Sequence, residues 1–187
     1  VGAKGMENGP GDGVLYTRFS SFCTAEVVAH TGAEPIQVDI NPNTYNIDPY
    51  CLEYVIGKCV RTGKPVPRAL IAVDLFGLPC NYEALEEICK RHDIQLIEDM
   101  AHAFGAAFQG RKTGSFGRMA VASFFPAKPV DDMGEGGAVF CADERDAARL
   151  RSLRRKIQLS ERQVTLYNTG SSLDAVQASV VSDKLYK

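Results

Sequence analysis

The chain has 187 residues, with 21 Lys+Arg against 23 Asp+Glu and a formal charge of −2. Apolar residues make up 45% and charged residues 24%, which excludes intrinsic disorder and gives no general attraction to nucleic acid or anionic membranes. No apolar run approaches the ~20 residues a membrane helix needs, and the length suits one domain with a real core.

Along the chain, short apolar, β-branched runs alternate with stretches of helical period. Strands are predicted at residues 14–17, 36–40, 69–75, 94–98, 120–125 and 138–141, and helices at roughly 23–31, 49–60, 81–92, 143–157 and 172–186. Gly9-x-Gly-Asp-Gly reads as a turn before the first strand. Asp48-Pro49 offers an N-cap followed by Pro at the first helical position. Asn81 is an N-cap for the next helix, where Leu85, Ile88 and Cys89 share one face. Such alternation predicts an α/β fold with a mostly parallel sheet covered by helices on both faces, and these sheets bind ligands at the carboxyl ends of their strands. The last two strands differ: only about a dozen residues, rich in Gly, Pro and Asp, separate them, and a structureless loop of that length is often functional.

Six cysteines (Cys23, Cys51, Cys59, Cys80, Cys89, Cys141) form no C-x-x-C pair, and His30, His92 and His102 are scattered. A zinc site is therefore poorly supported. With no secretory apolar segment, the cysteines read as small core groups of a cytoplasmic protein. The chain opens Val1-Gly-Ala-Lys and ends Lys184-Leu-Tyr-Lys inside a helical pattern, and so reads as cut at both ends.

Two places can carry chemistry. Glu98-Asp99 follows an apolar strand, which sets carboxylates at the ligand edge of the sheet; Asp99 is read either as a helix cap or as the partner of a cationic ligand group. His102 lies near Asp99 if a turn follows. The second place is Ser123-Phe-Phe-Pro-Ala-Lys128-Pro129, with Ser123 two residues before the end of its strand and Lys128 just beyond it. Lys128 precedes a proline and is thereby pushed out of helical backbone. Phe124 and Phe125 are expected to wall the lysine, and Gly134-Glu-Gly-Gly to let backbone approach a ligand. A partly desolvated lysine is a nucleophile toward carbonyls, and Ser123 is placed to donate to a phosphate. Gly110-Arg-Lys-Thr lacks the order of a phosphate-binding loop.

These residues resemble the DegT/DnrJ/EryC1/StrS family of sugar aminotransferases, which use pyridoxal phosphate. The similar segments are Gly9-Pro-Gly-Asp, Phe22-Cys-Thr-Ala-Glu, Val38-Asp-Ile-Asn-Pro-Asn-Thr-Tyr-Asn-Ile-Asp-Pro and Asp74-Leu-Phe-Gly-Leu-Pro. The specific ones are Glu98-Asp-Met-Ala-His-Ala-Phe-Gly-Ala, Gly114-Ser-Phe-Gly, Ser123-Phe-Phe-Pro-Ala-Lys-Pro and Gly134-Glu-Gly-Gly-Ala, with Asp99 and Lys128 29 residues apart. The resemblance implies the large domain of aspartate-aminotransferase-type enzymes. It makes Lys128 the lysine that holds the cofactor and Asp99 the partner of its ring nitrogen. Ser123 becomes a phosphate contact, and His102 stands where many members have glutamine. It further implies a nucleotide-sugar substrate, closest in wording to UDP-linked 3-keto sugars and uronic acids, an amino acid donor such as glutamate, and a homodimer.

This sequence also departs from the family. Residues 1–187 correspond to a single large-domain portion, without the family's Ser-Gly-Thr turn and its small C-terminal domain. Ser21 stands where relatives often carry an aromatic residue stacked on the cofactor, with Phe22 beside it. Val130-Asp131-Asp132 replaces a Leu-Gly pattern, and Gly170-Ser-Ser172-Leu-Asp174 replaces Asn-x-Arg-Leu-Asp. Three readings follow: an aminotransferase, a non-catalytic homologue that keeps the fold, and a sugar dehydratase. Lys128 argues against the last, whose branch has histidine there.

Overall fold

The computed structural model describes residues 9–131, 134–154 and 173–186. A tight turn closed by Asp12 on Gly9 leads into strand β1 (Asp12–Thr17). Helix α1 (Phe22–Ala29) and strand β2 (Glu34–Val38) follow, then helix α2 (Pro49–Thr62) and strand β3 (Val66–Val73). Asp48 caps α2, its carboxylate accepting from the N–H groups of Tyr50 (2.8 Å) and Cys51 (3.0 Å) ahead of a left-handed stop at Gly63. After β3 come a single 3-10 turn (Leu75–Gly77), helix α3 (Tyr82–Arg91), capped by Asn81, and strand β4 (Gln95–Asp99).

The chain then makes a two-stranded hairpin, β5 (Ala107–Phe108) and β6 (Arg111–Lys112), absent from the expected elements. Its turn is Gln109-Gly110, both with positive φ (49° and 81°), the backbone that a two-residue hairpin selects. The segment that superficially resembled a phosphate loop is thus a surface hairpin. Strands β7 (Met119–Ser123) and β8 (Gly137–Cys141) and helices α4 (Glu144–Arg154) and α5 (Ala175–Leu185) complete the described elements. The outer residues of the last two predicted helices, 155–157 and 172, lie outside the described residues.

The six long strands form one sheet in the order β2-β1-β3-β4-β7-β8, parallel except for β8, which runs antiparallel to β7. The mostly parallel α/β sheet expected from the alternation is therefore present. Residue alternation divides the core: Leu15, Leu70 and Leu96 pack with Leu52, Ile56 and Leu85 of α2 and α3. Val14, Ile71 and Ile97 pack on the other side with Val28 of α1 and Leu150 of α4. Successive residues point to opposite faces, so Glu98 and Asp99, adjacent in sequence, serve different sides of the sheet.

Glu98 turns toward the α3 side, fully buried, and accepts from the N–H groups of Gly114 and, at 3.0 Å, Phe116. It holds the turn before β7, whose Gly117 sits so close to β4 that a Cβ there would lie 2.8 Å from the Leu96 carbonyl oxygen. Of the acid pair, Glu98 is structural. All six cysteines are free thiols; Cys59, Cys80 and Cys89 are buried and Cys23 is exposed. Among the described residues no helix is long and apolar enough to cross a membrane.

Candidate active site

The strand order reverses direction about β1: the chain passes from β1 to β2 on one side and to β3 on the other. Such a switch point opens a crevice at the carboxyl ends of the flanking strands. Here those ends carry Phe19 after β1, Asp74 and Phe76 after β3, Asp99 and His102 after β4, and Ser123 and Lys128 after β7.

A cavity of about 390 Å3 at this edge is lined by Phe76, His102, Ala127, Lys128 and Pro129. The Lys128 N–H donates to the Phe125 carbonyl at 3.1 Å, and Ala127 before it takes left-handed backbone (φ 74°). That turn returns Lys128 toward the β4 side, half-buried. Helix α5 braces the same loop: Lys184 donates to the Asp131 carbonyl at 2.9 Å and pairs with its carboxylate, and Gln177 donates to the Glu135 carbonyl at 3.3 Å.

Asp99 closes β4. One of its carboxylate oxygens accepts from the Ala101 N–H at 3.0 Å; the other has no hydrogen-bond partner among the described residues. Burial pushes the carboxyl above its ordinary range, opposed by the Ala101 N–H and by the charges of His102 and Lys128. In His102 burial lowers the pKa, the Lys128 charge lowers it further, and Asp99 opposes both. The imidazole is thus held neutral at neutral pH. A neutral imidazole and an amine line the cavity, and the half-satisfied carboxylate of Asp99, itself not in the lining, lies within electrostatic reach of both. This donor set suits a ligand that carries a cationic ring N–H and an electrophilic carbonyl. Helix cap and ligand partner were alternative readings for Asp99; no helix starts there, and one oxygen closes the turn on Ala101 while the other is left open.

Ser123 is the last residue of β7, not a residue two short of the strand end. Its Oγ accepts from the Phe125 N–H at 3.2 Å, which leaves the hydroxyl hydrogen for a ligand. The expected Phe124–Phe125 wall is not formed. Alternation turns Phe124 inward, against Val181 of α5, and Phe125 stays exposed away from the cavity lining. The aromatic wall is Phe76, and sequence reasoning missed it. Nor does Gly137 mainly admit a ligand: a Cβ there would lie 2.6 Å from the Ala122 carbonyl oxygen, so it admits the neighbouring strand. Ser21 caps α1, its Oγ accepting from the Cys23 N–H at 3.4 Å, and Phe22 is largely exposed. Asp132, Gly170 and Ser172 lie outside the described residues.

A second cavity, about 630 Å3, opens among Asn41, Asn46, Asn81, Glu83 and Gln109. Each of those side chains makes at least one hydrogen bond in caps and turns or to another side chain.

Comparison with known proteins identifies the family. The sequence model of the DegT/DnrJ/EryC1/StrS aminotransferase family matches residues 2–187. The chain is 38% identical over 177 residues to the Pseudomonas aeruginosa UDP-2-acetamido-2-deoxy-3-oxo-D-glucuronate aminotransferase, covering 95% of this chain and 47% of that one. It is 35% identical to the Streptomyces venezuelae dTDP-3-amino-3,4,6-trideoxy-alpha-D-glucose transaminase, covering 97% and 46%. In structure it is similar to a DegT DnrJ EryC1 StrS aminotransferase from Brucella abortus, with TM-score 0.89, 36% identity and coverage of 99% and 52%. S. venezuelae DesV in complex with a ketimine intermediate gives TM-score 0.87, 34% identity and coverage of 99% and 48%. The chain spans about half the length of the relatives it matches.

Proposed function

The chain belongs to the DegT/DnrJ/EryC1/StrS aminotransferase family, and from that premise we propose that it carries the pyridoxal-phosphate site of a cytoplasmic, homodimeric sugar aminotransferase. The substrate is a nucleotide-linked keto sugar, a UDP-3-keto sugar or uronic acid in the first place, and the donor an amino acid such as glutamate. The observation that carries the reading is the convergence of Phe76, His102 and Lys128 on one cavity, with Asp99 electrostatically coupled to both His102 and Lys128. The relatives named for UDP- and dTDP-linked amino sugars support the substrate class.

The residues fit the cofactor. Asp99 offers an open carboxylate oxygen to a protonated ring nitrogen, and a cation there keeps the buried carboxyl ionised. His102, neutral, hydrogen-bonds at the ring's phenolic oxygen. Ser123 donates its hydroxyl to the phosphate. Lys128 holds the cofactor covalently through Nζ. When bound, pyridoxal phosphate supplies an electron-accepting ring that stabilises negative charge on the carbon bearing the amino group. Lys128 Nζ, lining the cavity, would be the base that takes the proton from that carbon and the acid that returns it.

The test is spectroscopic. Purified protein given pyridoxal phosphate is expected to show a visible absorbance band that borohydride abolishes, and to aminate a UDP-3-keto sugar with glutamate. Absence of that band in the folded protein would select the non-catalytic homologue instead.

A further inference from the structure

Three aromatic rings from three separate loops meet beside the cavity. Phe19, Tyr45 and Phe76 are 48%, 46% and 69% exposed, so none is a core residue. Their centroids lie 5.7, 6.5 and 6.2 Å apart, and Phe76 also lies 6.5 Å from the His102 ring. Tyr45 and Phe76 both occupy left-handed backbone, φ 62° and 54°, where a bulky residue is a real outlier. Strain of this kind persists where the surroundings over-determine it.

The surroundings do so here. Buried Asn46, next to Tyr45, accepts from the Leu75 N–H at 3.0 Å and donates to the Leu78 carbonyl at 2.8 Å. One amide therefore locks the turn of Tyr45 to the turn of Phe76. On the other side, Asp74 accepts from the Cys80 N–H (2.8 Å) and the Tyr82 hydroxyl (2.7 Å), which closes the loop that carries Phe76. An exposed aromatic cluster is being held in place, at a cost in backbone energy, next to the reactive lysine.

Resting on the function proposed above, we propose that Phe76, backed by Phe19 and Tyr45, is the surface on which the pyranose ring of the nucleotide sugar packs through its C–H face. The carbon to be aminated belongs to that ring and must reach Lys128. Phe76 lines the same cavity as Lys128, so the ring lies against it, while the base, two phosphates further on, lies beyond. Aromatic faces carry negative charge density that attracts the weakly positive C–H groups. Phe76 thereby becomes a specificity residue for the sugar, and the missing aromatic at Ser21 does not leave the mouth without a ring.

Saturation-transfer NMR and titration with UDP-N-acetylglucosamine and with UDP, on protein supplied with pyridoxal phosphate, test this. The pyranose protons are expected to take up more saturation than the uracil protons. Phe76→Ala is expected to weaken UDP-N-acetylglucosamine about tenfold with UDP unchanged, and Phe76→Trp to restore binding. Because the side chain is mostly exposed, the fold of Phe76→Ala is confirmed by circular dichroism. Equal loss for UDP and the UDP-sugar would place the base on the platform and overturn the assignment, as would no loss, or no binding by the parent. A change in sedimentation with Phe76→Ala would show that the rings cover a second copy instead. Failure of the cofactor band alone would sink the transamination reading and leave this measurement standing.

Discussion

The backbone N–H of Asp74 donates to the backbone carbonyl of Asp99 at 2.9 Å. The last rung between β3 and β4 thus joins the loop that presents Phe76 to the strand end that presents the open carboxylate. Parallel strands cannot place two such loops side by side through sequence proximity; the sheet register does it. One backbone hydrogen bond therefore links the Phe76 loop directly to Asp99.

Lys128→Ala is expected to lose the borohydride-sensitive band completely. Its side chain is only half-buried and contributes no described hydrogen bond, so unfolding free energy should change by no more than about 0.5 kcal/mol. Paired absorbance and urea titrations check both halves; a persisting band would remove Lys128 from its role.

Asp99→Asn keeps the oxygen that accepts from Ala101 and removes the charge. The cofactor is expected to stay bound while turnover falls by about a hundredfold or more. Asp99→Ala deletes the hydrogen bond from Ala101 as well and should cost a further ~1 kcal/mol of stability. Turnover in Asp99→Asn close to that of the parent would reduce Asp99 to its turn-closing role.

Asp74 gives a pH dependence with a definite sign. Burial is the main cause that raises its carboxyl from 3.8 to about 6, against the hydrogen bonds from Cys80 and Tyr82. One oxygen, Oδ2, is buried without a partner. A raised folded-state pKa means that the folded chain holds the proton more tightly than the unfolded one. This contribution is fully present below pH ~4 and is lost as pH rises through about 6, and it amounts to ~3 kcal/mol at most. Asp74→Asn keeps an accepting oxygen without the charge. Relative to the parent, that variant is expected to gain stability between pH 5 and pH 7.5; urea midpoints at the two values that moved in parallel would refute it.

The family resemblance leads to an expectation of self-association, symmetric pairs being the usual form, and Phe22, Tyr50 and Tyr54 are among the exposed rings. Sedimentation at micromolar concentration, with and without pyridoxal phosphate, is expected to show a dimer. A monomer that bound the cofactor tightly would contradict it.

The sheet was readable because buried strands leave apolar runs and their helices leave periodic faces, with Asp48 and Asn81 marking the starts. Asp99, His102, Ser123 and Lys128 stood out as candidates because each lies at or just past the end of an apolar strand, where a parallel sheet collects its loops, and because their motifs resemble a family. The roles of Glu98 and Phe124 were not, since a single step in strand alternation decides between core and mouth. Phe76 was hidden for another reason: its placement follows from left-handed backbone fixed by Asn46, thirty positions earlier. Only Phe76-Gly77 after a strand hinted at a turn. The β5–β6 hairpin, by contrast, was announced by Gln109-Gly110 and overlooked.

Left-handed backbone at Tyr45, Phe76 and Ala127 also sets a direction for mutational drift. Glycine relieves such positions by roughly 1 kcal/mol each, so the easiest stabilising changes in this part of the chain are those that strip the mouth of its rings and loosen the lysine turn. Screens that select for heat resistance alone would enrich them. If the proposed sugar surface holds, robustness and recognition are opposed at these three positions, and stability gained there would come at the expense of that surface.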